Sequence, residues 1–257
     1  MDSVIVHVGC MSLKDSQDLA RHAVEIGADG IAVISPSFFK PKTAEALRRF
    51  LQEVARAAPS LPFYYYQIPS FTGVNVPVRD VIENIEELIP SFRGVKFSGS
   101  DLLDFGQCVS YSQPHWSVLY GVDEQLLAAL AMGANGAVGR LMIFLFSQSL
   151  DIILFIILQL FKLIHLSSYS TYNYMGCYVN QLISAFETGD LVKARTIQFK
   201  IQEVLGYAIR LGFDVGVNKQ LMTEVSGLFL GPPRLPVMPC PPAHAQLIIK
   251  KYHSIFV

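Results

Sequence analysis

No cysteine pair at Cys-x-x-Cys spacing occurs in the chain, whose four cysteines, Cys10, Cys108, Cys177 and Cys240, lie far apart. This removes the usual sequence ground for a zinc site or a dithiol redox motif and leaves separate thiols, which suit a reducing compartment. A surplus of one charge is also missing: 20 Lys and Arg against 21 Asp and Glu give a net charge of −1, with no Lys/Arg cluster. Nucleic acid is therefore not an expected partner. The opening residues, MDSVIVHVGC, have neither the basic start nor the long apolar core of a secretory leader, so a cytoplasmic location is expected. Gly133, Gly136 and Gly139 follow a helical stretch at GxxGxxG spacing instead of opening a helix at GxGxxG spacing, which argues against a dinucleotide site.

What is present is an apolar, globular composition, 51% hydrophobic and 16% charged over 257 residues. Short apolar runs bounded by Gly or Pro alternate with stretches of helical period, the pattern of a parallel sheet with crossover helices. The strands are expected at 4–9, 30–35, 63–68, 94–98, 117–121 and 136–139. Between the first two, Ser12 begins a helix with Asp15 three residues on; Leu19, Ala23 and Ile26 share a face and Gly27 ends it. A second helix, about 42–57, sets Leu47, Phe50, Leu51 and Val54 on one stripe, with Arg48, Arg49 and Glu53 toward water. Ile26-Gly-Ala-Asp-Gly30 is echoed by Met132-Gly-Ala-Asn-Gly136, each joining a helix end to a strand, so one supersecondary unit recurs.

Six such units are countable before residue 140, and residues 140–169 then break the pattern. That segment is strongly apolar without a clean period of 2 or 3.6. Its length would permit a membrane span, yet Ser147-Gln148-Ser149, Asp151 and Lys162 interrupt it, so no membrane contact is expected and an insert is the reading. Helical patterns resume at about 178–188, 190–211 and 217–228. A Pro-rich stretch then leads to 244–257.

Two positions carry most of the chemical information. Lys96 lies inside the short apolar strand 94–98, where an ammonium is costly unless it has a task or a partner. A desolvated lysine supplies the neutral amine that attacks a ketone; the alternative is a strand-end lysine whose tip reaches solvent. Tyr64, Tyr65 and Tyr66 end the preceding strand before Ile68-Pro69, so Tyr64 and Tyr66 share one face and Tyr65 takes the other. A phenol at the C-terminal end of a barrel strand can relay protons, whereas core packing is the ordinary role of such aromatics. Asp123 and Glu124 by themselves read as the acidic start of a helix.

Tyr66-x-Ile-Pro, Gly94-Val-Lys96-Phe-Ser98 and Gly121-Val-Asp-Glu124 together resemble the N-acetylneuraminate lyase branch of the Schiff-base aldolases, which also include dihydrodipicolinate synthase. The resemblance covers about 3–139 and 170–236. It implies an α/β fold, a (β/α)₈ TIM barrel lacking its first two βα units, with extra C-terminal helices and an apolar insert at 140–169. Residues 1–139 would be barrel units three to eight, 170–236 the last barrel helix and C-terminal helices, and 237–257 a divergent tail.

The same resemblance implies Lys96 as the Schiff-base amine and Tyr66 as its proton-shuttling partner. Ser98, Gly121, Asp123, Glu124 and Ser170 would be substrate contacts, with Asp123 and Glu124 accepting hydrogen bonds from the hydroxylated tail of sialic acid. It implies aldol cleavage of sialic acid to N-acetylmannosamine and pyruvate by a homotetramer, with no metal and no organic cofactor. Alternatives are an inactive isoform that partners full-length lyase, or another 2-oxo-acid aldolase of the family. The sequence departs from the pattern twice. The Gly-Thr-Thr-Gly-Glu loop that grips the pyruvate carboxylate has no counterpart upstream of Lys96. The family's Gly-Ser-Thr-Tyr-Asn is split, Gly139 lying before the apolar segment and Ser170-Thr-Tyr-Asn173 after it.

Overall fold

The computed structural model describes residues 4–138, 155–157, 167–168 and 172–257. Strands β1 (Val4–His7), β2 (Gly30–Ile34), β3 (Phe63–Gln67), β4 (Phe92–Phe97), β5 (Ser117–Tyr120) and β6 (Gly136–Val138) pair in chain order, every adjacent pair parallel. Two short strands inside the apolar segment flank them, β7 (Phe155–Ile157) beside β1 and β8 (Ser167–Ser168) beside β6. β7 runs antiparallel to β1, so the outer edge of β1, which an open barrel would leave with unpaired N–H and C=O groups, has a hydrogen-bonded neighbour. The remainder of 140–169, and Gly139 and Ser170 with it, lies outside the described residues.

The sequence echo noted above is one hydrogen-bonded device used twice. Asp29, just ahead of β2, donates its N–H to Val4 O at 2.9 Å and accepts the Val4 N–H on Oδ2 at 2.6 Å. Asn135, just ahead of β6, treats Val118 of β5 the same way, at 3.1 and 2.7 Å. Each closes a backbone donor and acceptor at the start of a strand that would otherwise be orphaned. Gly27 and Gly133, at φ 71° and 93°, turn the chain into position for it.

Two compact units are present. Among the described residues the first holds 4–121, 131–138, 155–157 and 167, and the second holds 122–130, 168 and 172–257. In the first, Ser12 accepts the Asp15 N–H and starts helix Leu13–Glu25, while Thr43 accepts the Ala46 N–H and starts helix Ala44–Ala55. The latter buries Leu47, Leu51 and Val54, a stripe at i, i+4 and i+7, each contributing about 1.5–3 kcal/mol by removal from water. On the inner face of the sheet Ile5, Ala32, Tyr64, Leu119 and Val138 form one core cluster, a layer drawn from five of the six parallel strands.

The second unit is helical: Tyr172–Glu187, Leu191–Arg210, Val215–Ser226 and Pro242–Phe256, with the 3₁₀ turn Asp123–Gln125 and the start of helix Leu126–Ala131. Asp190 and Asp214 cap two of these helices by accepting the N–H of Lys193 and Val217. The tail beyond residue 237 carries the last helix, whose Tyr252 hydroxyl donates to Tyr174 O at 2.9 Å while Tyr178 stacks on Phe256. Among the described residues no helix is long and apolar enough to cross a membrane.

Candidate active site

The inward-facing register of the parallel sheet decides which side chains can meet. β2 to β5 pair Ile34 with Tyr66, Tyr66 with Lys96 and Lys96 with Leu119, so these four share one face. Tyr66 and Lys96 are thus direct neighbours across the β3–β4 pair, both buried, at 1% and 5% exposure. Lys96 Nζ stands 3.9 Å from the centre of the Tyr66 ring, over its face. Of the two readings of this lysine, the enclosed one describes the structure, since the residue is buried. The negative face of the phenol ring stabilises whatever positive charge the amine carries, which partly offsets its loss of water.

The tyrosine triplet divides as the strand period requires. Tyr64 belongs to the core layer described above, and burial pushes its phenol up to about 12. Tyr65 points to the opposite face, toward Asp104 and Cys108 and in a hydrogen bond with Ser35; burial again drives its phenol far upward. Tyr66 alone of the three sits against Lys96.

Ser98 follows β4 on the same side as Lys96. Its N–H donates to Gln67 O at 2.9 Å and to Gln67 Oε1 at 3.1 Å, which fixes the backbone. Its hydroxyl is buried with no hydrogen-bond partner among the described residues. Gly121, one residue past β5, explains how that hydroxyl fits: a Cβ at position 121 would lie 2.0 Å from Ser98 Oγ and 3.1 Å from Val138 O. A side chain at position 121 would push the Ser98 hydroxyl out of its place, and glycine leaves it room.

A residue that sequence reasoning missed stands beside this group. His7, at the end of β1 and 3% exposed, meets the Tyr66 ring edge-to-face at a centroid distance of 6.0 Å. Burial first, and the Lys96 charge second, hold its imidazole down to about 3, so it is neutral at any physiological pH. The signal was available: a titratable side chain inside an apolar strand, the same anomaly that singled out Lys96.

Asp123 and Glu124 belong to the second unit, where they open the 3₁₀ turn Asp123–Gln125, as their acidic helix-start pattern suggested. Asp123 is buried and Glu124 half-buried. Tyr174 lies close enough to Asp123 that its phenol, already raised by burial, is raised further by that carboxylate. Its hydroxyl donates to Asn218 Oδ1 at 3.0 Å. Ser170, the remaining expected contact, lies outside the described residues. The four residues brought together in the first unit are thus Tyr66, Lys96, Ser98 and Gly121, with His7 added.

Such an arrangement, a buried amine over a phenol with a spare hydroxyl nearby, can form an imine with a carbonyl substrate and move a proton beside it. Among the described residues no three His, Cys, Asp or Glu side chains are grouped to hold a metal ion.

Comparison with known proteins gives a consistent picture. Residues 3–153 match the model of the dihydrodipicolinate synthetase family, a match that runs into the apolar segment. The chain is 54% identical over 255 residues to N-acetylneuraminate lyase of Danio rerio, covering 99% of this chain and 73% of that one. To the Rattus norvegicus lyase it is 50% identical over 238 residues, covering 92% of this chain and 65% of the relative. Among solved structures, the N-acetylneuraminate lyase (sialic acid aldolase) of Aliivibrio salmonicida superposes with a TM-score of 0.80 at 28% identity, over 98% of this chain and 73% of that one.

Proposed function

The chain belongs to the dihydrodipicolinate synthetase family, and from that premise we propose that it is a Schiff-base aldolase that cleaves N-acetylneuraminate reversibly to N-acetylmannosamine and pyruvate. The observation that carries this reading is the enclosed Lys96 amine over the face of Tyr66, in register on adjacent strands. The lyase branch is favoured over other 2-oxo-acid aldolases by the identity of about half the residues to N-acetylneuraminate lyases.

In the forward direction the neutral Lys96 amine attacks the C2 ketone, and the Tyr66 phenol gives its proton to the departing water, which leaves an iminium and a phenolate. Its positive charge draws the electrons of the C3–C4 bond as that bond breaks. The Tyr66 phenolate takes the proton of the C4 hydroxyl, so the departing fragment leaves as the aldehyde form of N-acetylmannosamine. The remaining enamine takes a proton at C3, and water hydrolyses the iminium to pyruvate and free Lys96. The buried Ser98 hydroxyl has its hydrogen-bonding capacity to offer to substrate, and Gly121 keeps room for it. Asp123 and Glu124 are assigned to the hydroxylated tail, as two carboxylates accept several hydroxyl bonds; Ser170 completes the set of contacts.

The six parallel strands are read as the third to eighth of a (β/α)₈ barrel, with 1–139 the barrel part, 140–169 an insert, 170–236 its last helix and the outer helices, and 237–257 a tail. Their order in the sheet, and relatives of which this chain spans 65–73%, support this. Four free cysteines support a reducing, cytoplasmic setting. A homotetramer and the absence of any cofactor follow from the family resemblance, and sedimentation of the purified chain checks the former.

Incubation with pyruvate and borohydride, followed by peptide mass analysis, tests the central claim. The expected result is an irreversible adduct on Lys96; an adduct elsewhere, or none, overturns it.

A further inference from the structure

Gln198 is a neutral polar residue in the middle of helix Leu191–Arg210, 4% exposed, where an apolar residue would continue the stripe of Ala194, Ile197, Ile201 and Leu205. Burying a carboxamide is costly unless both of its ends are satisfied. Here they are. Nε2 donates to Asp123 O at 3.1 Å and Oε1 accepts the Leu127 N–H at 2.9 Å. One helical turn further on, Gln202 Nε2 donates to Glu124 O at 2.5 Å. Two glutamines at i and i+4, on one face of one helix, therefore hold the backbone carbonyls of both adjacent acidic residues.

The geometry of the held segment makes the grip specific. Asp123–Gln125 is a single 3₁₀ turn, and helix Leu126–Ala131 follows it directly. A turn this short has few internal bonds of its own: Gln125 N–H to Val122 O at 3.0 Å, and the Leu126 N–H to Asp123 O. The Leu127 N–H belongs to the first helical turn, where such donors need a partner from outside the helix. The Gln198 carboxamide spans from the first carbonyl of the turn to this donor, clamping both ends, and its pairing of donor and acceptor on one planar group matches that need.

We propose that Gln198, seconded by Gln202, is a positioning residue that fixes the Asp123–Gln125 turn so that the two carboxylates are presented to the hydroxylated part of a sugar-acid substrate. This rests on the reading of Asp123 and Glu124 as contacts to that part. A merely structural glutamine would affect every ligand alike. A positioning one weakens the substrate that carries a polyol tail and spares pyruvate, which has none.

The test measures borohydride trapping on Lys96 in the full chain at increasing N-acetylneuraminate and, separately, pyruvate. It compares the unsubstituted protein with Gln198→Leu, Gln198→Glu and Gln202→Ala. For Gln198→Leu the half-saturating N-acetylneuraminate concentration is expected to rise about tenfold, the consequence of losing one well-placed hydrogen-bonded alignment, with that for pyruvate unchanged. Gln198→Glu keeps the acceptor for Leu127 but loses the donor to Asp123 and falls between. Gln202 is exposed, so Gln202→Ala folds whether or not Gln198→Leu does, and a rise of about threefold for N-acetylneuraminate alone is expected. Equal shifts for both keto acids, or no shift in the folded variants, overturn the proposal while leaving the aldolase reading intact. No adduct from either keto acid in the unsubstituted chain overturns both.

Discussion

Lys96 and Tyr66 are direct register partners on adjacent parallel strands, and the amine nitrogen of the first lies 3.9 Å above the ring centre of the second. Strand spacing alone would put their side chains side by side; enclosure by the neighbouring layers is what keeps the amine off solvent. If Lys96 is the nucleophile and Tyr66 its proton partner, as proposed, their places on two adjacent strands bring them together without loop closure.

Removing the amine separates chemistry from packing. Lys96→Met is of similar length and apolar, so the chain is expected to keep its fold, as judged by its far-ultraviolet spectrum and melting curve. It is expected to lose all borohydride-stabilised adduct with pyruvate. An undiminished adduct in Lys96→Met would point to another amine.

Tyr66→Phe keeps the ring face beneath Lys96 and deletes the hydroxyl. Adduct formation with pyruvate is expected to persist, while carbon–carbon cleavage slows about 10²–10⁴-fold, the usual loss on deleting a general acid–base group. Single-turnover release of N-acetylmannosamine measures the second step by itself. Unchanged cleavage would remove the phenol from the mechanism.

The close approach at position 121 makes a steric prediction. Gly121→Ala places a methyl 2.0 Å from Ser98 Oγ, so the hydroxyl must move or the strands must part. Overpacking of this kind costs about 1–3 kcal/mol, to be read from the denaturation midpoint. Weaker substrate saturation should accompany it, and the double variant with Ser98→Ala should recover part of the stability. If the double variant is no more stable than Gly121→Ala, the clash lies elsewhere.

His7 makes the fold sensitive to acid in a defined direction. Its imidazole ionises near 6.5 when unfolded and is held down to about 3 when folded, so the unfolded chain binds the extra proton. Its contribution is complete above about pH 6.5 and is lost as pH falls toward 3, at up to about 1.4 kcal/mol per pH unit. Urea unfolding between about pH 7 and pH 4 is expected to show this slope, and His7→Phe to flatten it. An identical slope in the variant would assign the acid sensitivity to other groups.

Ser98, Gly121, Asp123 and Glu124 were singled out by the family resemblance alone; the strand–helix alternation, the recurring Gly-Ala-Asp-Gly and Gly-Ala-Asn-Gly joints, and the anomaly of Lys96 were legible in the amino-acid order. Local propensity and period-2 alternation settle them: an apolar strand with a lysine in it is anomalous wherever it lies, and the split of Tyr64 and Tyr66 from Tyr65 follows from the pleat. His7 carried the same signal in β1 yet passed unremarked, because an imidazole in an apolar run is less costly than an ammonium. Tertiary structure alone decided that His7 meets Tyr66, that Gly121 makes room for Ser98, and that Gln198, more than 70 residues away along the chain, holds the Asp123 turn. It also paired β7 with β1 out of a segment with no readable period. These are contacts between residues distant in sequence. Their energies depend on distance and angle after the chain has closed, and no local pattern of residue types encodes either quantity.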